Sequence, residues 1–468
     1  MQKYISIACL AFLMAAFPFS ALAQDEGEVK FPGGKTFLFR LTLADKNGSP
    51  YSLQHPEEFL SEKSLERRRR QGLQLDSTDL PLSPKYLNRI AETKGVEIVS
   101  KSKWNNTVLV LVHDRASVRP IHSLSFVKSV ERVFTSPDSI SAAVRYLVKD
   151  DLESHGSSED DYGEAAENID LVNGRKLHEL GFMGRGMTVA VLDGGFMNVD
   201  RIPAMKNVSI EGVKDFVAFK SDDLYMEHDH GTRVLSTMAV NVKGIFIGTA
   251  PEAHYWLLRA EDTRTESPAE EDYWSAAAEF ADSIGADIIS SSLGFQDFDD
   301  HSLDHKYHEL DGQHALISRT ASMLSSKGII HVNSAGNDGM GTWKKINFPA
   351  DAHDILAVGA VNSKRINTAF SSVGPSDDGR VKPDVMALGS ATATINGRGK
   401  INNDMGTSFA APIIAGMVAC LWQTAPQKTA TEVMRAVRMS ADNYDTPNNI
   451  FGYGIPDFTK AYNILKEK

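Results

Sequence analysis

Cysteine is nearly absent from this sequence: two occur among 468 residues, Cys9 and Cys420. Cys9 lies in an N-terminal apolar stretch that we expect to be removed, which would leave no pair of thiols for an intramolecular disulfide. Cys420 lies in the apolar run IIAGMVACLW, a setting typical of a small buried hydrophobe rather than a reactive thiol. The sequence therefore excludes a disulfide-stabilised fold and gives no support to cysteine catalysis.

An excess of positive charge is also missing, because the formal net charge at pH 7 is −12. Binding to nucleic acid relies on concentrated Lys and Arg, so the balance argues against a nucleic-acid partner. One local run of four arginines, Arg67 to Arg70, departs from this pattern. We expect that run to form the solvated face of a helix.

After the first residues, no stretch is long and apolar enough to suggest a membrane span. Lys3 precedes the apolar stretch 5–19, which is interrupted by Pro18 and followed by the small-residue site Ala21-Leu22-Ala23. This stretch is too short for a comfortable membrane span, and its pattern is typical of a secretory signal peptide. We expect residues 1–23 to be cleaved, leaving a secreted protein, periplasmic or extracellular, that is not bound to a membrane.

The remaining chain divides into three zones. Residues 24–141 alternate strand-like and helical segments, which predicts a small α+β domain. Residues 142–161 are acidic and serine-rich without apolar periodicity, as in an exposed linker. Residues 162–468 contain short, continuous apolar runs separated by helical segments, which predicts an α/β domain with a parallel sheet. The runs are MTVAVLD, HYWLLRA, ADIISSSLG, GIIHVNSAGN and ILAVGAV.

Three polar residues lie where these elements end or begin. Asp193 ends a predicted strand and is followed by two glycines; it is a hydrogen-bond acceptor or a simple cap. His230 lies at or just before the start of a predicted helix and is followed by Gly231, which allows close approach of other segments. Ser408 begins a helix that is apolar on all sides; it is a helix cap or a nucleophile at the positive helix end.

These residues fit one mechanism. Ser408 would need a base, which His230 supplies, and an acid to orient that base, which Asp193 supplies. Asn337 ends a further predicted strand, and its side-chain amide could hold an oxyanion beside the backbone N–H of Ser408. A metal site on His228, Asp229 and His230 is the competing interpretation. Ligands at i and i+2 do not share a face on a strand or a helix, and no other cluster has ligand spacing that would complete the site.

Eight segments together resemble the subtilisin-like serine proteases. They are VAVLDGGF, HGTRVLSTMA, ADIISSSLG, SAGNDG, ILAVGAV, AFSSVGP, VKPDVMALG and GTSFAAPIIAG. The resemblance covers residues 162–468 and implies a central, mostly parallel sheet with helices on both faces. It also implies an endopeptidase that acts on protein or peptide substrates.

By this resemblance Asp193, His230 and Ser408 form the catalytic triad and Asn337 completes the oxyanion hole. The segment Ser292, Leu293 and Gly294 would bind substrate backbone as an added strand and form one wall of a specificity pocket. The family requires no cofactor; its members commonly bind structural calcium, but no loop of this sequence is assigned to calcium.

The sequence departs from the family pattern at three positions near these residues. Gly194 stands where Ser or Thr is commoner, Arg233 where the best-known members have a second histidine, and Phe409 where methionine is commoner. None of the three removes a catalytic atom.

Residues 24–141 resemble, by position and pattern alone, the pro-domains of this family. We therefore expect an intramolecular inhibitor and folding assistant that is cleaved within the linker. The alternative is a permanent substrate-binding or inhibitory domain. For the whole protein, the alternative is a catalytically silent binding protein with the same fold.

Overall fold

The computed structural model describes residues 28–31, 34–141, 144–149, 158–217 and 223–467. The predicted signal peptide lies outside these residues. None of the described helices combines the length and the hydropathy needed to cross a bilayer.

The strands are β1 (Glu28–Lys30), β2 (Phe37–Leu43), β3 (Val96–Ser102), β4 (Thr107–Val112), β5 (Val127–Thr135), β6 (Ser139–Ser141), β7 (Thr188–Asp193), β8 (Ser209–Asp215), β9 (Asn241–Val242), β10 (Phe246–Ile247), β11 (His254–Arg259), β12 (Ile288–Ser291), β13 (Ile330–Ser334), β14 (Leu356–Val361), β15 (Val385–Leu388), β16 (Ser390–Ile395) and β17 (Ile401–Met405). The α-helices are α1 (Glu62–Gln71), α2 (Pro84–Ala91), α3 (Ala166–Asp170), α4 (Arg175–Glu179), α5 (His230–Ala239), α6 (Ala269–Ile284), α7 (Leu316–Met323), α8 (Thr407–Gln423), α9 (Ala430–Ser440) and α10 (Phe458–Lys466).

The larger domain is built on a seven-stranded sheet in the order β15-β14-β13-β12-β7-β11-β8, and every pair in it is parallel. Val189 and Val191 of β7 join the core that contains α5, α8 and α9. The alternating residues Ala190 and Leu192 join the core on the opposite face, beneath α6 and α7. The prediction of a parallel sheet with helices on both faces is confirmed.

The N-terminal domain is a four-stranded antiparallel sheet in the order β3-β4-β2-β5. Leu41 and Ile90 belong to its own core, where α2 covers one face of the sheet. On the other face, Leu109 and Phe134 pack with Ala269 and Tyr273 of α6. The predicted small α+β domain is confirmed, and it uses a helix of the larger domain as its second layer.

The arginine run does not form a solvated face, so that prediction is wrong. Arg67 and Arg68 of α1 are each only 2% exposed. Both guanidinium groups bind the buried carboxylate of Asp282 in α6, and Arg68 also binds Asp79 at 3.0 Å. Arg69 alone points to solvent. Carboxylates distant in sequence neutralise these arginines and allow their burial.

The helix α8 is buried along almost its whole length, as its uniform apolar character predicts. It begins at Thr407, so Pro412 is its sixth residue and lies in the second turn. A proline at this position has no N–H to offer the carbonyl of Ser408, four residues earlier.

Of the predicted linker, the structure describes residues 144–149 and 158–161, which contain no helix or strand. The first part is packed rather than free. The side-chain amide of Asn198 donates to the Tyr146 carbonyl at 2.8 Å, and the Lys149 N–H donates to the Arg398 carbonyl at 2.8 Å. Arg145 forms an ion pair with Asp200 at 2.6 Å.

Candidate active site

A cleft of about 340 Å³ lies at the carboxyl ends of β7, β11, β12 and β13. Parallel strands bring the residues that follow them to one edge of the sheet, which is the usual place for a functional site in such folds. The cleft is lined by His228, His230, Glu261, Thr263, Ser292, Leu293, Gly294, Ser334, Gly336, Asn337, Asp338, Asn347 and Ser408. Every predicted site residue except Asp193 lines it.

Asp193 lies behind the cleft wall, with none of its surface exposed, and binds His230. Its two carboxylate oxygens lie 2.9 and 3.0 Å from Nδ1 of the imidazole. Burial opposes protonation of the ring, but the charge and hydrogen bond of Asp193 outweigh it and raise the pKa of His230 to about 9. The contact holds the imidazole with Nδ1 inward, which leaves Nε2 to act in the cleft.

His230 is the first residue of α5, as predicted. Gly231 accounts for the close approach of the strand to this helix. A Cβ there would lie 2.5 Å from the Gly195 carbonyl oxygen and 2.9 Å from Cβ of Asp193. The prediction that this glycine admits other chain segments is confirmed.

Ser408 is the second residue of α8 and is only 7% exposed. Its hydroxyl donates to the Ser292 carbonyl at 3.4 Å, and no hydrogen bond to His230 is present among the described residues. Catalytic hydrogen bonds of free enzymes are often long and tighten only when substrate binds. The structure thus brings Ser408 and His230 to one cleft, with the hydroxyl turned toward the neighbouring segment.

Asn337 is fixed by the start of α8. Its Oδ1 accepts hydrogen bonds from the backbone N–H of Thr407 at 2.9 Å and from the Thr407 hydroxyl at 3.0 Å. Because the oxygen is engaged, the Nδ2 group is the part of the amide free to donate in the cleft. The first amides of α8 also lack acceptors within the helix. Both kinds of donor therefore lie beside Ser408.

The segment after β12 has an exposed edge. Leu293 is buried, and its carbonyl accepts from the side chain of Asn333 at 3.1 Å. Gly294 is exposed, and its N–H and C=O form no backbone hydrogen bond in the described structure. An extended peptide could pair with these free groups as an added strand.

The neighbours of His230 have other partners than a metal ion. Nδ1 of His228 accepts the backbone N–H of His230 at 3.2 Å, and burial lowers the pKa of His228. Asp229 forms an ion pair with Arg233 at 3.0 Å and accepts the Gly397 N–H. Within the described ranges, no group of three His, Cys, Asp or Glu side chains is arranged to hold a metal. These contacts favour the histidine–aspartate pair over the metal interpretation.

The departures from the family pattern have local explanations. The charge of Arg233 is balanced by Asp229 and by Asp404, whose carboxylate lies 3.5 Å away. The ring of Phe409 packs 5.7 Å from that of His230. Gly194 leaves room for Glu261: a Cβ would lie 2.5 Å from Glu261 Oε2.

Glu261 was not identified from the sequence. It is the second residue after β11, and no motif marks it; the glycine at position 194 was the available signal. Cys420 is buried, and its thiol bonds to the Thr249 carbonyl at 3.1 Å. Burial raises the pKa of that thiol, as expected for a structural cysteine.

Sequence comparisons identify both domains. A model of the subtilase family matches residues 184–454, and a model of the Bacteroidota propeptide domain of S8 peptidases matches residues 39–145. Fold and matches together define a serine-type endopeptidase with an N-terminal propeptide domain. The first match covers more than half of the chain, and the protein belongs to the subtilase family.

Two kinds of relatives illustrate the spread of this family. Subtilisin NAT of Bacillus subtilis subsp. natto is 28% identical over 316 residues, which are 67% of this chain and 73% of that protein. The membrane-bound transcription factor site-1 protease of Mus musculus is 28% identical over 299 residues, 62% of this chain but 26% of that protein.

Proposed function

We propose that the protein is a secreted endopeptidase that hydrolyses peptide bonds through Asp193, His230 and Ser408, with an acyl-enzyme intermediate. The observation that carries the proposal is the two-oxygen contact of Asp193 with His230 in the cleft that also contains Ser408. This arrangement supplies an oriented base in the same cleft as a hydroxyl at a helix N-terminus.

In the proposed mechanism, Ser408 Oγ attacks the peptide carbonyl while Nε2 of His230 takes its proton. Asp193 stabilises the imidazolium that forms. The carbonyl oxygen becomes an anion held by Nδ2 of Asn337 and the amide of Ser408. His230 then protonates the leaving amine, and a water molecule, deprotonated by the same imidazole, hydrolyses the acyl-enzyme. No step needs a cofactor.

Reaction with a fluorophosphonate probe tests the nucleophile. The mature wild-type protein should be labelled at Ser408 and should cleave a protein substrate, whereas Ser408→Ala should do neither. Ser326→Ala, at an exposed serine before β13, is the matched control and should behave as wild type. Activity should persist in a chelator. An unlabelled, inactive wild-type protein would instead favour the silent binding protein.

We also propose that residues 24–141 inhibit the enzyme until the chain is cut within residues 142–161. Two contacts support this. The N-terminal sheet is docked on α6, and residues 144–149 lie against Asn198, which closely follows Asp193 along the chain. We infer that a segment held there restricts access to the cleft.

Mass spectrometry of the purified protein tests processing. The active enzyme should begin within residues 142–161, and Ser408→Ala should retain the uncut chain. Active enzyme that still begins at Gln24 would contradict the inhibitor proposal and favour a permanent domain.

A further inference from the structure

A carboxylate without a hydrogen bond lies close enough to His230 for its charge to act on the imidazole. Glu261 lines the same space as His230 and Ser408, is half-buried, and forms no hydrogen bond or ion pair within the described residues. Burying an unpaired carboxylate costs free energy unless a partner arrives. Such a group in a binding cleft is therefore suited to receive a cation from a ligand.

The chain is shaped to keep Glu261 in this position. Its Oε2 lies 2.5 Å from where a Cβ at residue 194 would be, so a larger residue there would require the carboxylate to shift. Burial and the nearby charge of Asp193 raise the pKa of Glu261 to about 7. A basic side chain bound beside Glu261 would stabilise the ionised carboxylate and so lower its pKa again.

Orientation of the catalytic base does not require Glu261. Nδ1 of His230 is already bound by both oxygens of Asp193. The carboxylate of Glu261 is therefore available to bind a group of the substrate.

The direction of a bound substrate indicates which of its residues meets Glu261. A peptide paired with the edge at Gly294 is extended, and side chains of an extended chain alternate between opposite sides. In the binding mode we infer, the residue that donates the attacked carbonyl points toward Gly294 and Asn347, two of the residues that line the cleft. The preceding residue then points the other way, toward His230 and Glu261.

We propose that Glu261 makes the enzyme select Lys or Arg at the residue immediately before the one that donates the scissile carbonyl. This specificity rests on the proposed protease function. Lys and Arg have the length and charge to reach a half-buried carboxylate and to form charge-assisted hydrogen bonds with it. The substrate class is accordingly peptides with a basic residue at that position.

Matched peptides that differ only at this residue, with Lys, Ala or Glu, test the proposal at the alkaline plateau of activity. Wild-type kcat/KM should be about 10- to 100-fold higher for Lys than for Ala, the ratio expected of one charged hydrogen bond, and lowest for Glu. Glu261→Gln should bring the Lys-to-Ala ratio close to one. Asp338→Asn, which removes another acid of the cleft, should leave that ratio unchanged.

Fluorophosphonate titration of the same samples distinguishes a failure of the specificity role of Glu261 from a failure of the proposed protease function. Labelled enzyme whose Lys-to-Ala ratio is near one in the wild type, or is unaffected by Glu261→Gln, would overturn the role of Glu261 alone. A ratio that collapses in Asp338→Asn would also overturn it, by assigning the preference to the other acid. Failure to label and to cleave any of the peptides would overturn the proposed protease function itself.

Discussion

Ser292 and Ser408 are joined by two hydrogen bonds that run in opposite directions. The Ser292 hydroxyl donates to the Ser408 carbonyl at 2.8 Å, and the Ser408 hydroxyl donates to the Ser292 carbonyl at 3.4 Å. The first bond replaces the helical donor that Pro412 lacks. The proposed nucleophile is thereby tied to the edge that would bind substrate.

Replacing Ser292 by Ala should destabilise the start of α8. The Ser408 carbonyl would lose its donor, and an unsatisfied buried group costs about 1–3 kcal/mol. The urea midpoint of unfolding should fall, and kcat should fall with it because the nucleophile is less well fixed. Ser290→Ala is the matched control, since that buried hydroxyl has no partner. Equal midpoints for the two variants would contradict this account of the contact.

Substitution of the two cleft histidines should separate their roles. His230→Ala should reduce kcat on the order of 10⁴-fold or more, because the base is lost. His228→Ala should retain most activity, since its ring accepts one backbone N–H and does not contact Asp193. Single-turnover acylation measures the difference. Two equally inactive variants would require a new assignment of the base.

The pH dependence of kcat/KM should follow the imidazole. Only neutral His230 accepts a proton, and its pKa of about 9 means that activity should rise with pH up to about 9 and level above it. Above pH 7 Glu261 is largely ionised, and its negative charge favours the imidazolium. Glu261→Gln should therefore move the acid limb to lower pH. An unmoved limb would contradict this coupling.

Local signals in the sequence are sufficient to predict that Asp193 and Asn337 lie at one edge of the sheet. The apolar runs predict the strands. Because these strands are parallel, both residues, at the carboxyl ends of two of them, lie at the same edge of the sheet. Gly231 indicated close packing at His230, because glycine has no side chain to keep a neighbouring segment away.

Other features depend on partners that local patterns do not reveal. The arginines of α1 looked solvated because the acid that neutralises them, Asp282, is more than 200 residues away in sequence. Glu261 went unnoticed because only the fold places it over Gly194. The residue pattern of a single helix does not reveal which distant charged residues its side chains will pair with.

The buried arginines should hold the N-terminal domain to the larger one, and this can be measured in the Ser408→Ala background, where we expect the chain to stay uncut. Arg67 binds Asp282 and the Ala286 carbonyl at the amino ends of the strands, the edge opposite the cleft. Arg67→Met should lower the free energy of unfolding by about 3 kcal/mol, the lower end for a broken buried pair, because Arg68 still contacts Asp282.

Arg69→Met removes the same charge from the same helix and is the matched control. Its side chain is 59% exposed, and exposed ion pairs contribute little because water and salt screen them. Urea unfolding followed by tryptophan fluorescence compares the two variants. A loss of the same size in both would mean that helix charge, and not the buried contact with Asp282, stabilises the docked domain. A loss confined to Arg67→Met would assign the docking to that buried pair.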